Sequence, residues 1–216
     1  MSAVFTALAA LLGKGDRLVA ARSLFGSCFV VCNEILPRWG VETVFVDGED
    51  LDQWEKALSV PTTAVFFETP SNPMQTLVDV RRVSEMAHAA GAKVVLDNVF
   101  ATPLLQRSID LGADIVVYSG TKHIDGQGRV LGGAILGPED YIDGPVQQLI
   151  RHTGPSLSRS TRGRCSRASR PCRCGCAPPS IRRCASRSSS KRRMPCAGSS
   201  TRTSNRTPST NSRSRR

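Results

Sequence analysis

Lys93-Val-Val-Leu-Asp97 and Asp114-Ile-Val-Val-Tyr-Ser119 decide how this chain folds. Each is a short, continuous apolar run that closes on a polar residue. A strand with one wet face alternates apolar and polar residues, whereas a strand covered on both faces reads as an unbroken Val, Ile, Leu or Phe run. Comparable runs occur at 17–21, 42–46, 63–68 and 131–136. Between them, apolar residues recur at helical spacing over 2–12, 25–39, 50–58 and 79–90, and a further helix is expected over 138–151. Strands and helices in alternation predict a mostly parallel, doubly wound α/β sheet. In such sheets ligands gather beyond the C-terminal ends of the strands. Asn72, Asp97, Ser119, Thr121 and Lys122 all lie at or just after predicted strand ends, so successive strands carry polar groups to one rim.

The 216 residues divide sharply in composition near residue 158. Up to that point 12 Lys and Arg face 18 Asp and Glu; beyond it come 17 basic residues, 16 of them Arg, and no acid. The net charge of +11 therefore belongs to the tail and says nothing about partners of the first part. Residues 1–158 suffice for one α/β domain. Residues 159–216 contain no aromatic residue and, among larger aliphatics, only Ile181 and Met194. Such a segment cannot bury enough surface to offset its ordering entropy and is expected to be disordered. Cys28 and Cys32, alone in the first part, suit a reducing cytoplasm. Residues 1–12 are apolar but lack the basic start and cleavage site of a signal peptide, and no run approaches the ~18 apolar residues of a membrane span.

Tyr118-Ser-Gly-Thr-Lys-His123, taken alone, reads better as a surface turn carrying a solvated lysine than as a cofactor site. Context changes that reading, because Val94-Val-Leu-Asp-Asn98 and Glu68-Thr-Pro-Ser-Asn-Pro73 end neighbouring strands. A carboxylate, an amide, two hydroxyls and a lysine on one rim form a chemically loaded set. The remaining candidates are weaker. His88, His123 and His152 have no metal-ligand spacing, and Cys28 and Cys32 lack two further zinc ligands. Trp39 and Trp54 read as packing residues. No metal site is expected, the closely spaced Cys172-Arg-Cys-Gly-Cys176 included.

Together with Ser23-Leu-Phe-Gly-Ser27, Leu96-Asp-Asn-Val-Phe-Ala-Thr-Pro103 and the extension of the lysine stretch through His123-Ile-Asp-Gly-Gln-Gly128, these motifs resemble the Cys/Met-metabolism family of fold-type I pyridoxal phosphate (PLP) enzymes. The resemblance implies that Lys122 holds the cofactor as a Schiff base and moves protons between Cα and Cβ of the substrate. It implies that Asp97 pairs with the pyridine nitrogen and that Asn72 bonds the ring oxygen. Phe25 would stack on the ring where many relatives carry Tyr, although by itself it reads as a core aromatic. Ser119 and Thr121 would bind the phosphate, and Met1 aligns with the methionine of a phosphate-binding turn in relatives. A lysine in such a pocket loses its proton readily, and a carboxylate on the ring nitrogen keeps it protonated.

Phe25 and the stretch after Lys122 resemble the subgroup that replaces the γ-succinyl group of O-succinylhomoserine with sulfide, giving homocysteine for methionine biosynthesis. Cystathionine γ-synthase and methionine γ-lyase activities are the alternatives, as is a non-catalytic remnant. The partners implied are an amino-acid substrate and sulfide, with assembly as a homo-tetramer built of dimers. Relatives extend before Met1, with residues that reach the neighbouring subunit's phosphate site, and beyond Ser158, with an arginine that grips the substrate carboxylate. The Arg- and Ser-rich tail reads as the product of a frameshift near Ser158 in a G+C-rich coding sequence. A nucleic-acid-binding tail is the other reading, disfavoured by the lack of aromatics for base stacking.

Overall fold

A computed structural model describes residues 1–168. Six strands form one sheet: β1 (Arg17–Ala21), β2 (Glu42–Val46), β3 (Ala64–Glu68), β4 (Lys93–Asp97), β5 (Ile115–Ser119) and β6 (Gly133–Leu136). Their order is β2-β1-β3-β4-β5-β6, with every pair parallel except β5 and β6. The mostly parallel sheet expected from the continuous apolar runs is thus what forms. β3 is buried along its whole length, while the edge strands β2 and β6 are only partly covered. β6 runs antiparallel to β5, which it reaches through the segment 120–132.

Period-two alternation sends each strand's side chains to two separate cores. Val19, Val65, Phe67, Val94, Leu96 and Val116 face one side, packed with α3 (Leu51–Leu58) and α4 (Val80–Ala89). Leu18, Ala20, Phe66, Val95, Ile115 and Val117 face the other, under α1 (Ser2–Ala9) and the helical run beginning with α2 (Gly26–Val30). Trp54 is fully buried, donates from its indole to the Gly48 carbonyl at 3.2 Å and meets Phe67 edge-on. Trp39 is half exposed and packs edge-on against Phe5.

Local signals explain the helix starts. Asp50 accepts from the amides of Asp52 and Gln53, and Asp79 from that of Arg82, so each carboxylate satisfies otherwise orphaned amides. The expected helix over 25–39 is continuous, but its hydrogen-bond spacing widens over Val31–Ile35 and tightens over Leu36–Trp39. Pro37, which has no amide to donate, lies in the tightened turn, and Gly40 ends it at φ 83°. The helical stretch over 138–151 divides into α6 (Glu139–Tyr141), a wide turn broken at Gly144-Pro145, and α7 (Gln147–Thr153). Elements not anticipated include the single turn α5 (Thr102–Leu105), the 3-10 turn Ser108–Leu111 and α8 (Arg159–Ala168). The last lies in the segment expected to be disordered. Ser158 starts it, accepting the Thr161 amide at its hydroxyl and the Arg162 amide at its carbonyl. The rest of that expectation, over 169–216, falls outside the described residues. Among the described residues, no helix is long and apolar enough to cross a membrane.

Candidate active site

Because β1, β3, β4 and β5 run parallel, their C-terminal ends lie along one edge. Strand register sets Glu68 beside Asp97 and Asp97 beside Val117, with Ser119 two residues further along β5. The chain leaves β1 toward β2 on one side and β3 on the other, so the crevice between β1 and β3 is the point where strand order reverses. Phe25, which follows β1, spans that crevice: its amide donates to Oε2 of Glu68 at 2.7 Å. The amide of Asn72 donates to the same carboxylate. Phe25 is 42% exposed, so it is a rim aromatic rather than a core one. Asn72 is half-buried.

Glu68 and Asp97 are buried, yet among the described residues neither makes a salt bridge. Burial pushes Asp97 up to about 6, opposed by a bond from the Val99 amide and by the α-amino group of Met1. Burial and then the charge of Asp97 push Glu68 up to about 7, opposed by the Phe25 and Asn72 amides. The buried Cys28 thiol is pushed well above its ordinary value, first by burial and then by both carboxylates. Here an acidic pair lacks a cation, which a protonated ring nitrogen could supply.

The lysine turn is held by its backbone. Gly120 donates to the Gly132 carbonyl at 2.7 Å, Asp125 to that of Gly120 at 3.1 Å, and Gly126 to that of Lys122 at 2.7 Å. Lys122 itself departs from helical geometry at φ −90° and ψ −116°, and it is exposed. A Cβ on Gly120 would meet the Gly132 backbone at 3.1 Å, so the close approach needs glycine. Ser119 and Thr121 are partly exposed on either side. Met1 is 49% exposed, and Ala3 lies so near Gly133, the ladder partner of Ser119, that the start of α1 sits beside this turn.

Glu68 acquires a part that sequence reading did not assign, and Asp125, which with Arg129 reads as shaping the loop after the lysine, acquires a defined one. Glu68 was legible only as the head of a motif, whereas here it joins two rim backbones. Asp125, 3% exposed, accepts from the Arg129 amide at 2.6 Å and from its guanidinium Nη2 at 2.9 Å, closing the loop after the lysine. Their signal was a carboxylate in a motif otherwise made of turn formers. His123 stacks edge-on with Tyr118, and burial lowers its pKa. His88 is on the helix surface and bonds Asp114 at 2.8 Å. A cavity of about 370 Å³ lies among α1, β6 and α7 and takes in neither carboxylate nor Lys122.

Fold and rim together define the class of α/β enzymes that hold a cationic ring beside a lysine. The donor set fits PLP: a buried carboxylate for its nitrogen, an exposed aromatic for its face, hydroxyls for its phosphate and a primary amine for its aldehyde. The family model described as Cys/Met metabolism PLP-dependent enzyme matches residues 1–167. The chain belongs to this family. It is 82% identical over 158 residues to the O-succinylhomoserine sulfhydrylase of Mycobacterium tuberculosis strain H37Rv, covering 73% of this chain and 39% of that one. It is 41% identical over 145 residues to an L-methionine gamma-lyase of Treponema denticola, covering 66% and 36%. The fold superposes with a TM-score of 0.74 on cystathionine gamma synthase from Xanthomonas oryzae pv. oryzae, at 31% identity, covering 78% of this chain and 43% of that one. The chain spans about two fifths of the length of the curated relatives it matches.

Proposed function

We propose that this chain carries the cofactor-binding part of a PLP-dependent sulfhydrylase that exchanges the γ-succinyl group of O-succinylhomoserine for sulfide, giving homocysteine. The observation that carries this reading is the 82% identity over 158 residues to an O-succinylhomoserine sulfhydrylase. Cystathionine γ-synthase and methionine γ-lyase chemistry are the alternatives, supported by weaker identity.

When bound, PLP supplies an electron sink for charge that develops at substrate Cα. Lys122 would bind the aldehyde carbon and, once released by the substrate amine, take protons from Cα and Cβ so that succinate can leave from Cγ. It would then return them to those carbons after sulfide has added at Cγ. Asp97 would hold a proton on the pyridine nitrogen, using the charge that burial makes costly when no cation is near. Phe25 would cover one ring face, where it offers stacking without a phenol proton. Asn72 would bond the ring oxygen. Ser119 and Thr121, together with the start of α1 at Met1, would fix the phosphate and so the position of the reacting carbon. The proposed setting is the cytoplasm. Assembly as a tetramer built of dimers is supported by large apolar side chains left exposed: Met74, Leu77 and Phe100 in the loops after β3 and β4, and Leu104 and Leu105 in α5.

Borohydride reduction of the chain with PLP, followed by peptide mapping, tests the cofactor site. The label is expected on Lys122; a label on Lys14, Lys56 or Lys93 instead overturns the assignment. Assays with O-succinylhomoserine plus sulfide, O-succinylhomoserine plus cysteine, and methionine test the activity. Turnover of either alternative without homocysteine from sulfide overturns the substrate reading. Neither label nor turnover favours a non-catalytic remnant.

A further inference from the structure

Glu68 holds a position that an apolar residue would fill more cheaply. It is 4% exposed, at the end of a strand whose other residues are all apolar, and next to a second buried carboxylate in register. A buried carboxylate with no cation persists only where its oxygens are well used. Those of Glu68 accept from two backbone amides that are far apart in sequence and on different loops. One is Phe25, 2.7 Å from Oε2, the residue that opens the helical run over 26–39. The other is Asn72, in the turn after β3. That turn is itself closed by the Ser71 amide on the Thr76 carbonyl and the Gln75 amide on the Ser71 carbonyl. Glu68 thus ties both loops to the end of β3, across the β1–β3 crevice.

We propose that Glu68 is a positioning residue: its carboxylate sets the backbones of Phe25 and Asn72, so that an aromatic face and a side-chain amide meet a ring lying over the neighbouring Asp97. This rests on the PLP reading above for what the two side chains are positioned to do, but the clamp itself is a property of the cofactor-free chain. Among the described residues, no other side chain accepts from the Phe25 amide. Without Glu68, that amide and the Asn72 amide would turn to water, and both loops would lose their common anchor. The helical run is also favoured by a negative charge at its start. Asp97, Cys28 and the α-amino group of Met1 are the titratable groups that interact with this corner.

The test compares the full chain with Glu68→Leu, which removes both acceptors, and Glu68→Gln, which keeps a weaker one. Amide hydrogen exchange is measured without cofactor, and PLP affinity by titration of its absorbance. Glu68→Leu is expected to speed exchange at Phe25 and Asn72 by at least about tenfold, in line with one lost bond to a charged acceptor. Exchange at Lys93 and Val94, in the sheet, should not change. PLP should bind about tenfold more weakly to Glu68→Leu, and Glu68→Gln, with its weaker acceptor, should recover only part of both effects. Unchanged exchange at Phe25 and Asn72 overturns the clamp, as does a uniform rise over the whole sheet, which would signify only lost stability. Faster exchange with unaltered PLP affinity overturns the positioning role. If Glu68→Leu does not fold, Glu68→Gln decides: exchange between parent and solvent-like rates supports the clamp, and parent-like rates at both amides refute it. A parent chain that takes up no PLP would defeat the cofactor reading, while the exchange result still decides whether Glu68 holds the two backbones.

Discussion

Replacing Asp97 with Asn should make the cofactor-free chain more stable, not less. Asp97 is buried and its carboxyl is pushed from 3.8 to about 6, chiefly by burial. A carboxyl whose folded pKa lies above its unfolded one binds protons more tightly in the folded state. Its ionisation therefore costs stability in full above pH 6, and the cost disappears as pH falls toward 3.8. The gap between those two values corresponds to roughly 3 kcal/mol. Asn is nearly isosteric and keeps an oxygen to accept the Val99 amide, now bonded to Oδ1 at 3.1 Å, so little is lost in exchange. Glu68 alongside is relieved of a like charge at the same time. We expect Asp97→Asn to unfold with a free energy about 2–3 kcal/mol higher at pH 8, and about half of that advantage to remain at pH 5. Urea titrations followed by the emission of the fully buried Trp54 would measure it. PLP should stabilise the parent by mass action and the variant much less. A variant no more stable than the parent at pH 8, or an advantage that does not shrink with falling pH, would refute the argument that burial of an unpaired charge dominates this site.

Asp114 should behave in the opposite sense. Burial raises its pKa but is outweighed by bonds from the Val94 amide, His88 and Lys93, so its folded pKa is lowered. Its stabilisation is present above the unfolded pKa and lost as pH falls through the folded one. Asp114→Ala should cost about 1–3 kcal/mol at pH 7 in the same urea assay, because the Val94 amide loses its 2.8 Å acceptor. Gly133→Val should lower stability by about 1–3 kcal/mol and loosen α1 in hydrogen exchange, since a Cβ there would stand 2.5 Å from that of Ala3. Asp125→Ala should slow borohydride-trapped labelling of Lys122 while leaving labelling of the other lysines unaltered, because the loop closed by the Arg129 bonds would open.

The β-strands were legible because each central one is buried on both faces, which leaves an unbroken apolar run that needs no knowledge of its neighbours. The starts of α3 and α4 were legible for a similarly local reason: Asp50 and Asp79 cap from within their own turns. Asp97, Ser119 and Lys122 stood out because chemistry-bearing residues at successive strand ends must share an edge once the strands are parallel. Strand order was another matter. Backbone edges pair through the same N–H and C=O groups whatever the residues, so nothing local says that β3 lies between β1 and β4. That order sets Glu68 beside Asp97, carries the Phe25 amide to it across the β1–β3 crevice, and exposes the Phe25 ring. A buried carboxylate acquires its raised pKa only from neighbours that tertiary packing supplies. Residue types along the chain were enough to name the chemistry at the rim; which backbones are held over it was decided by pairing between segments more than 40 residues apart.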